Sequence, residues 1–166
     1  MVTPSFLFIA FYIACDIKYF YLHLYRERYK LINMNRFTLQ FIFRLLLGAA
    51  LVYAGTGHLT FLRSEFQAQV PQWLPMNTDL VVILSGVVEI VLGLSLLVGG
   101  KYKQTVGWIT ALFFIAVFPG NIAQYLNGVD AFGLDTDQAR LIRLFFQPVL
   151  VVWALWSTGI LTKKIN

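Results

Sequence analysis

The sequence predicts an all-α polytopic membrane protein, a bundle of four transmembrane helices carrying an N-terminal interfacial or extra helix. Three observations predict it. The 166-residue chain is 58% apolar and 13% charged, with a mean hydropathy of +0.70; soluble chains run nearer about 45–50% apolar and about 25% charged. A domain this small cannot bury so much apolar surface against itself. Four stretches each supply the roughly 20 mainly apolar residues that a helical crossing needs. The 15 Phe, 8 Tyr and 4 Trp also exclude a disordered chain.

The expected spans run from Phe37 to Leu62, Asp79 to Val98, Gln104 to Leu126 and Ala139 to Leu161. Three connections separate them. Arg63 to Thr78 contains Val70-Pro71-Gln72-Trp73-Leu74-Pro75, where two prolines forbid continuous helix and Trp73 suits the headgroup level. Gly99-Gly100-Lys101-Tyr102-Lys103 is a tight basic turn, and Asn127 to Gln138 is a longer loop with Asp130, Asp135 and Asp137. The basic flanks Arg26, Arg28, Lys30 and Arg36, the Lys101/Lys103 turn and the Lys163/Lys164 tail then share one side, giving an N-in/C-in orientation by the positive-inside rule. That distribution accounts for the net charge of +5 without a nucleic-acid partner; the partner expected is the lipid bilayer of a bacterial cytoplasmic (inner) membrane.

Residues 1–33 are read as an appendage to a 34–166 transmembrane domain. The apolar run Ser5 to Cys15 is broken by Asp16 and Lys18, too short to cross, and the aromatic, charged segment Tyr19 to Tyr29 suits a helix lying in the interface. Met34 offers a second start just before the first good span, and a fifth span is the other alternative. Cys15 is the single cysteine; it reads as a small apolar filler, and a disulfide within the chain is excluded.

Each span carries a polar or small-residue seam. Arg44, Gly48, Leu51, Gly55 and His58 fall on one stripe of the first helix, Ser85, Glu89 and Gly93 on one face of the second, and Arg140, Arg143, Gln147, Ala154 and Thr158 on one face of the fourth. The third contributes Pro119, Asn121 and Gln124 near its outer end. Ionisable groups at such depth need partners. Counting inward from the basic ends puts Arg44 roughly 10 Å deep and Glu89 roughly 14 Å, which predicts a buried Arg44–Glu89 ion pair. It serves either as a lock between the first two helices or in proton handling or a substrate cavity. Toward the outer face, His58, Asn121, Gln124, Arg143 and Gln147 reach similar height. This mixed donor set can hold a polar headgroup such as a quinone carbonyl, with His58 passing a proton; the alternative has the arginines snorkelling and His58 closing a helix end. Pro119-Gly120 is expected to kink the third helix and free carbonyls for Asn121. With only His23 and His58 present, and His23 outside the four expected spans, a pair of axial histidines for haem within the membrane is not expected, nor is a metal-ligand cluster.

The run from Arg44 to Gly55-Thr56-Gly57-His58, then Val70-Pro71-Gln72-Trp73-Leu74-Pro75, Ser85-Gly86-Val87-Val88-Glu89 with Gly93, and Phe118-Pro119-Gly120-Asn121, resembles the DoxX family of small four-helix membrane proteins. The resemblance spans Phe37 to Leu161, with Arg44, His58, Glu89, Pro119 and Asn121 at its motif positions. It implies relatives such as the quinone-linked subunit of a thiosulfate-oxidising enzyme and membrane partners of proteins that handle oxidative stress, and it transfers no catalytic set. Three functions stay open: a quinone-linked redox subunit, whose chemistry is shared with a protein partner; a non-catalytic scaffold; and a carrier of protons or small solutes. Glycine seams also allow a homo-oligomer.

Overall fold

The computed structural model describes residues 4–162; up to residue 33 its side chains are described only at Leu22, residues 25–28 and Leu31. The side chains of Cys15, His23 and Lys30, and the residues Lys163 and Lys164, lie outside the described residues. Helix α1 (Pro4–Leu59) is followed by a short α2 (Arg63–Gln67), α3 (Thr78–Val98), a 3-10 turn (Gly100–Tyr102), α4 (Lys103–Leu126) and α5 (Asp137–Ser157). No strand occurs among the described residues. Four helices are long and apolar enough to cross a membrane: Met34–Leu59, Thr78–Val98, Gly100–Leu126 and Asp137–Ser157.

The chain divides into two units, Met1–Leu39 and Gln40–Asn166. In the first, helix α1 starts at Pro4, and Leu22, Tyr25, Leu31, Met34 and Phe37 are exposed.

Helix ends follow local chemistry. The Asn77 side chain accepts from the backbone N–H of Asp79 (2.9 Å) and Leu80 (3.2 Å), and Thr136 caps α5 by accepting from Ala139 N–H (3.2 Å). Helix α5 stops at Ser157, short of the Leu161 expected, because Gly159 adopts φ 84°. Ile160 N–H then reaches Leu155 C=O and Gly159 N–H reaches Trp156 C=O, the paired bonds of a Schellman ending.

Glycines determine how closely the helices pack. A Cβ on Gly48 would stand 2.8 Å from the Gly93 carbonyl, and one on Gly55 would stand 2.5 Å from the Gly86 carbonyl. The two pairs lie two turns apart, so α1 and α3 run antiparallel with backbones in contact. Helix α5 joins α1 through Trp153 Nε1–H donating to Phe43 C=O (3.0 Å) and Gln40 Nε2–H donating to Trp156 C=O (2.8 Å). Helix α4 packs on both α5 and α3, closing a ring of four around Leu47, Leu51, Leu92, Leu96, Ala111, Phe114 and Ala154. Only 17–33% of the most apolar window of each spanning helix is buried. Leu84, Val87, Val91, Leu112, Ile115, Val149 and Val152 face outward, an apolar coat that a lipid environment would cover.

Candidate functional site

A cavity of about 520 Å³ opens among the four long helices, within the range of small-molecule sites. Its walls are mainly apolar, including Leu47, Leu51, Val82, Phe114 and Leu150, and its polar groups converge from all four long helices. Helix α1 supplies His58, α3 supplies Ser85 and Glu89, α4 supplies Asn121, and α5 supplies Arg143 and Gln147. Gln69, Pro71 and Trp73 come from the α2–α3 connection and Phe132 from the α4–α5 loop.

The ion pair expected between Arg44 and Glu89 does not form. Glu89 Oε2 lies 3.2 Å from His58 Nε2, while the Arg44 guanidinium donates to the Leu96 carbonyl and covers the Phe41 ring at 5.4 Å. The reason is register. Arg44 lies one turn beyond the Gly48–Gly93 contact on one side and Glu89 one turn beyond it on the other, roughly 11 Å apart along the axis. Helical side chains also lean toward their own N-terminus. In antiparallel helices that carries Arg44 away from Glu89, and brings Glu89 and His58 toward each other. Arg44 instead closes the C-terminal end of α3, where carbonyls lack intrahelical partners. Gly99, at φ 69° and without a Cβ, leaves room for the guanidinium.

His58 is 7% exposed and Glu89 9%. The Ser85 hydroxyl donates to Val82 C=O (2.9 Å) and stands 3.1 Å from His58 Nδ1, so a protonated Nδ1 donating to Ser85 satisfies both groups and turns Nε2 toward Glu89. That last approach has ion-pair distance without hydrogen-bond alignment: Glu89 Oε2 is buried and accepts no hydrogen bond from the described residues.

The outer set is assembled only in part as expected. His58, Asn121, Arg143 and Gln147 line the cavity, whereas Gln124 is buried behind it. Their amides bond one another: Asn121 Nδ2–H donates to Gln147 Oε1 (2.9 Å), Arg143 Nη2–H to Gln69 Oε1 (3.0 Å), Gln69 Nε2–H to Gln124 Oε1 (2.9 Å) and Gln124 Nε2–H to Val129 C=O (3.3 Å). Pro119 does sit inside α4, but Asn121 is not the group that reaches backbone there. Gln147 Nε2–H takes the Phe114 carbonyl (2.6 Å) instead. Gly120 has a different use, since a Cβ on it would lie 3.2 Å from the Gln69 carbonyl. Arg140 does not snorkel: it is buried, bonds Asp137 (2.6 Å) and Asp130, and donates to the Val129 and Asp135 carbonyls. Among the described residues no three His, Cys, Asp or Glu side chains group to hold a metal.

Several site residues escaped the sequence reading. Phe66 stacks on the His58 ring, centroids 3.4 Å apart and planes 18° apart, and Phe132 meets Phe66 edge-on at 4.7 Å. Arg143 lies 4.7 Å over Phe132. Phe132 has φ 59°, an uncommon conformation for a non-glycine residue, held by its N–H donating to Glu65 Oε2 (2.6 Å). Phe66 and Phe132 sit between the long helices, where no periodicity marks them. On the same side Arg63 forks onto Asp79 (2.7 and 2.6 Å), which raises its pKa and ties α2 to the start of α3.

All cavity-lining residues fall between Leu47 and Trp153. A family model described as "Domain of unknown function (DUF8561)" matches residues 47–158. The chain belongs to the DUF8561 family. No curated protein and no solved structure matches it, and none of the comparisons points to the DoxX family. Arg44 stands before the DUF8561 segment, and the His58–Glu89 pair and both loops that cover it lie inside.

Proposed function

We propose that this DUF8561 protein is a multi-pass integral membrane protein whose cavity binds a quinone-like amphiphile, serving as the quinone-linked membrane subunit of a redox assembly with a protein partner. The observation that carries this reading is the composition of the cavity. Apolar walls suit a ring and its isoprenoid-like tail, and a few polar groups meet at one end. His58, stacked on Phe66, offers a flat face, and Arg143 has N–H donors beyond the one bonded to Gln69 for a ring oxygen. A bound quinone would supply the electron-accepting chemistry; the protein's residues hold and orient it and exclude water. The DoxX resemblance supports the same reading. Lys101 and Lys103 at one end and Asp130, Asp135 and Asp137 at the other support an N-in/C-in orientation in a bacterial inner membrane, with residues 1–33 as an appendage to the 34–166 bundle.

Trp73 and Trp153 line the cavity and report on its occupancy. In mild detergent, a decyl-substituted benzoquinone is expected to quench tryptophan fluorescence saturably, and Arg143→Ala is expected to weaken binding at least tenfold. Quenching that stays linear and is indifferent to Arg143 contradicts the reading. If a co-purifying protein then appears without quinone binding, the scaffold takes its place.

A further inference from the structure

The amide groups near the cavity already bond one another or backbone carbonyls. The buried side-chain atom left without a hydrogen bond among the described residues is an acceptor, Glu89 Oε2, on a residue that lines the cavity and is 9% exposed. A buried acceptor without a donor is costly, on the order of 1–3 kcal/mol, and a ligand that brings a donor recovers that cost. We propose that the cavity selects a head group that donates a hydrogen bond to Glu89, a ring hydroxyl, and therefore prefers the reduced quinol of the couple to the quinone. This deepens the reading above and rests on it.

The charges around the cavity narrow the donor to a neutral one. Arg143 lines the same space, with no carboxylate within ion-pair distance among the described residues. An ammonium ligand would enter beside that guanidinium. A hydroxyl donates to the carboxyl oxygen without adding charge, and its ring can lie along the walls near Phe66 and Phe114. A quinone carbonyl placed at Glu89 would instead set acceptor against acceptor.

Calorimetric titration of the full chain in detergent with three probes tests this: a decyl-benzoquinone, its quinol kept reduced under argon, and the dimethyl ether of that quinol. The quinol is expected to bind about tenfold more tightly than the quinone, which corresponds to about 30 mV in a two-electron midpoint. The ether, which keeps the ring and tail but carries methoxy groups in place of both donors, should fall to the quinone's level or below. Glu89→Gln, whose amide both donates and accepts, should bring quinol and quinone to within about twofold; the wild-type probe series stands even if that variant folds poorly. Quinone binding equal to or tighter than quinol, or an ether as tight as the quinol, overturns the proposal while leaving the cavity reading intact. Failure of all three probes to bind overturns the cavity reading itself, and this one with it.

Discussion

A side chain at Gly55 or Gly86 will force α1 and α3 apart and displace the cavity-lining His58 and Glu89. The Cβ of Gly86→Val would meet the His58 Cβ at 2.7 Å and the Gly55 carbonyl at 3.0 Å, and that of Gly55→Val would meet the Gly86 carbonyl at 2.5 Å. Most overpacking is absorbed by side chains turning, at about 1–3 kcal/mol. Here one side of the clash is backbone, so relief requires helix movement, and the cost should reach the top of that range. Thermal unfolding in detergent is expected to show a fall of several degrees for either variant, with loss of ligand response at temperatures where the variant remains folded. Ala49→Val on the exposed face of α1 is the comparison and should shift stability little. An unchanged melting temperature in Gly55→Val would mean that the two helices are not in backbone contact.

The second large effect concerns the buried pair. His58→Leu leaves the Glu89 carboxyl facing apolar walls without the imidazole that stands 3.2 Å from it, and a buried polar group stripped of its neighbour costs about 1–3 kcal/mol. Replacing both residues, as His58→Leu with Glu89→Leu, removes the stranded carboxyl and should recover most of that loss. The resulting double-mutant cycle is expected to give a coupling above about 1 kcal/mol. The parallel cycle between Arg44→Met and Glu89→Leu should give a coupling near zero, because Arg44 is bonded to the Leu96 carbonyl across the Gly48–Gly93 contact. A strong Arg44–Glu89 coupling with a weak His58–Glu89 one would reverse the assignment.

Those two cycles mark where the sequence was informative and where it was not. The seam Arg44-Gly48-Leu51-Gly55-His58 was visible because helical periodicity is a one-dimensional property, and the structure turns it inward, against the Gly86, Glu89 and Gly93 face of α3. Which rung of one seam meets which rung of the other is a property of the pair. Depth counting assumed a helix end near Phe37, but α1 has none there, since it begins at Pro4. Without that reference Arg44 and Glu89 were placed level, when the glycine contacts put two turns between them. The cover of the site was less legible still. Phe66, Gln69 and Phe132 belong to connections, and their placement depends on long-range bonds such as Glu65 to the Phe132 N–H and Gln69 to Arg143. The loop itself is held by Arg140, which hydropathy alone suggested would reach for the interface.

An experimental structure with a ring-brominated quinone analogue, located by the anomalous scattering of bromine, tests the proposed binding of a ring-headed amphiphile between the four helices, against His58 and Glu89. A single strong peak is expected inside the cavity, within contact distance of Phe66 and Glu89. Bromine peaks confined to the outer apolar surface beside Leu84, Val91 and Val152, with the cavity filled by protein side chains, would contradict it.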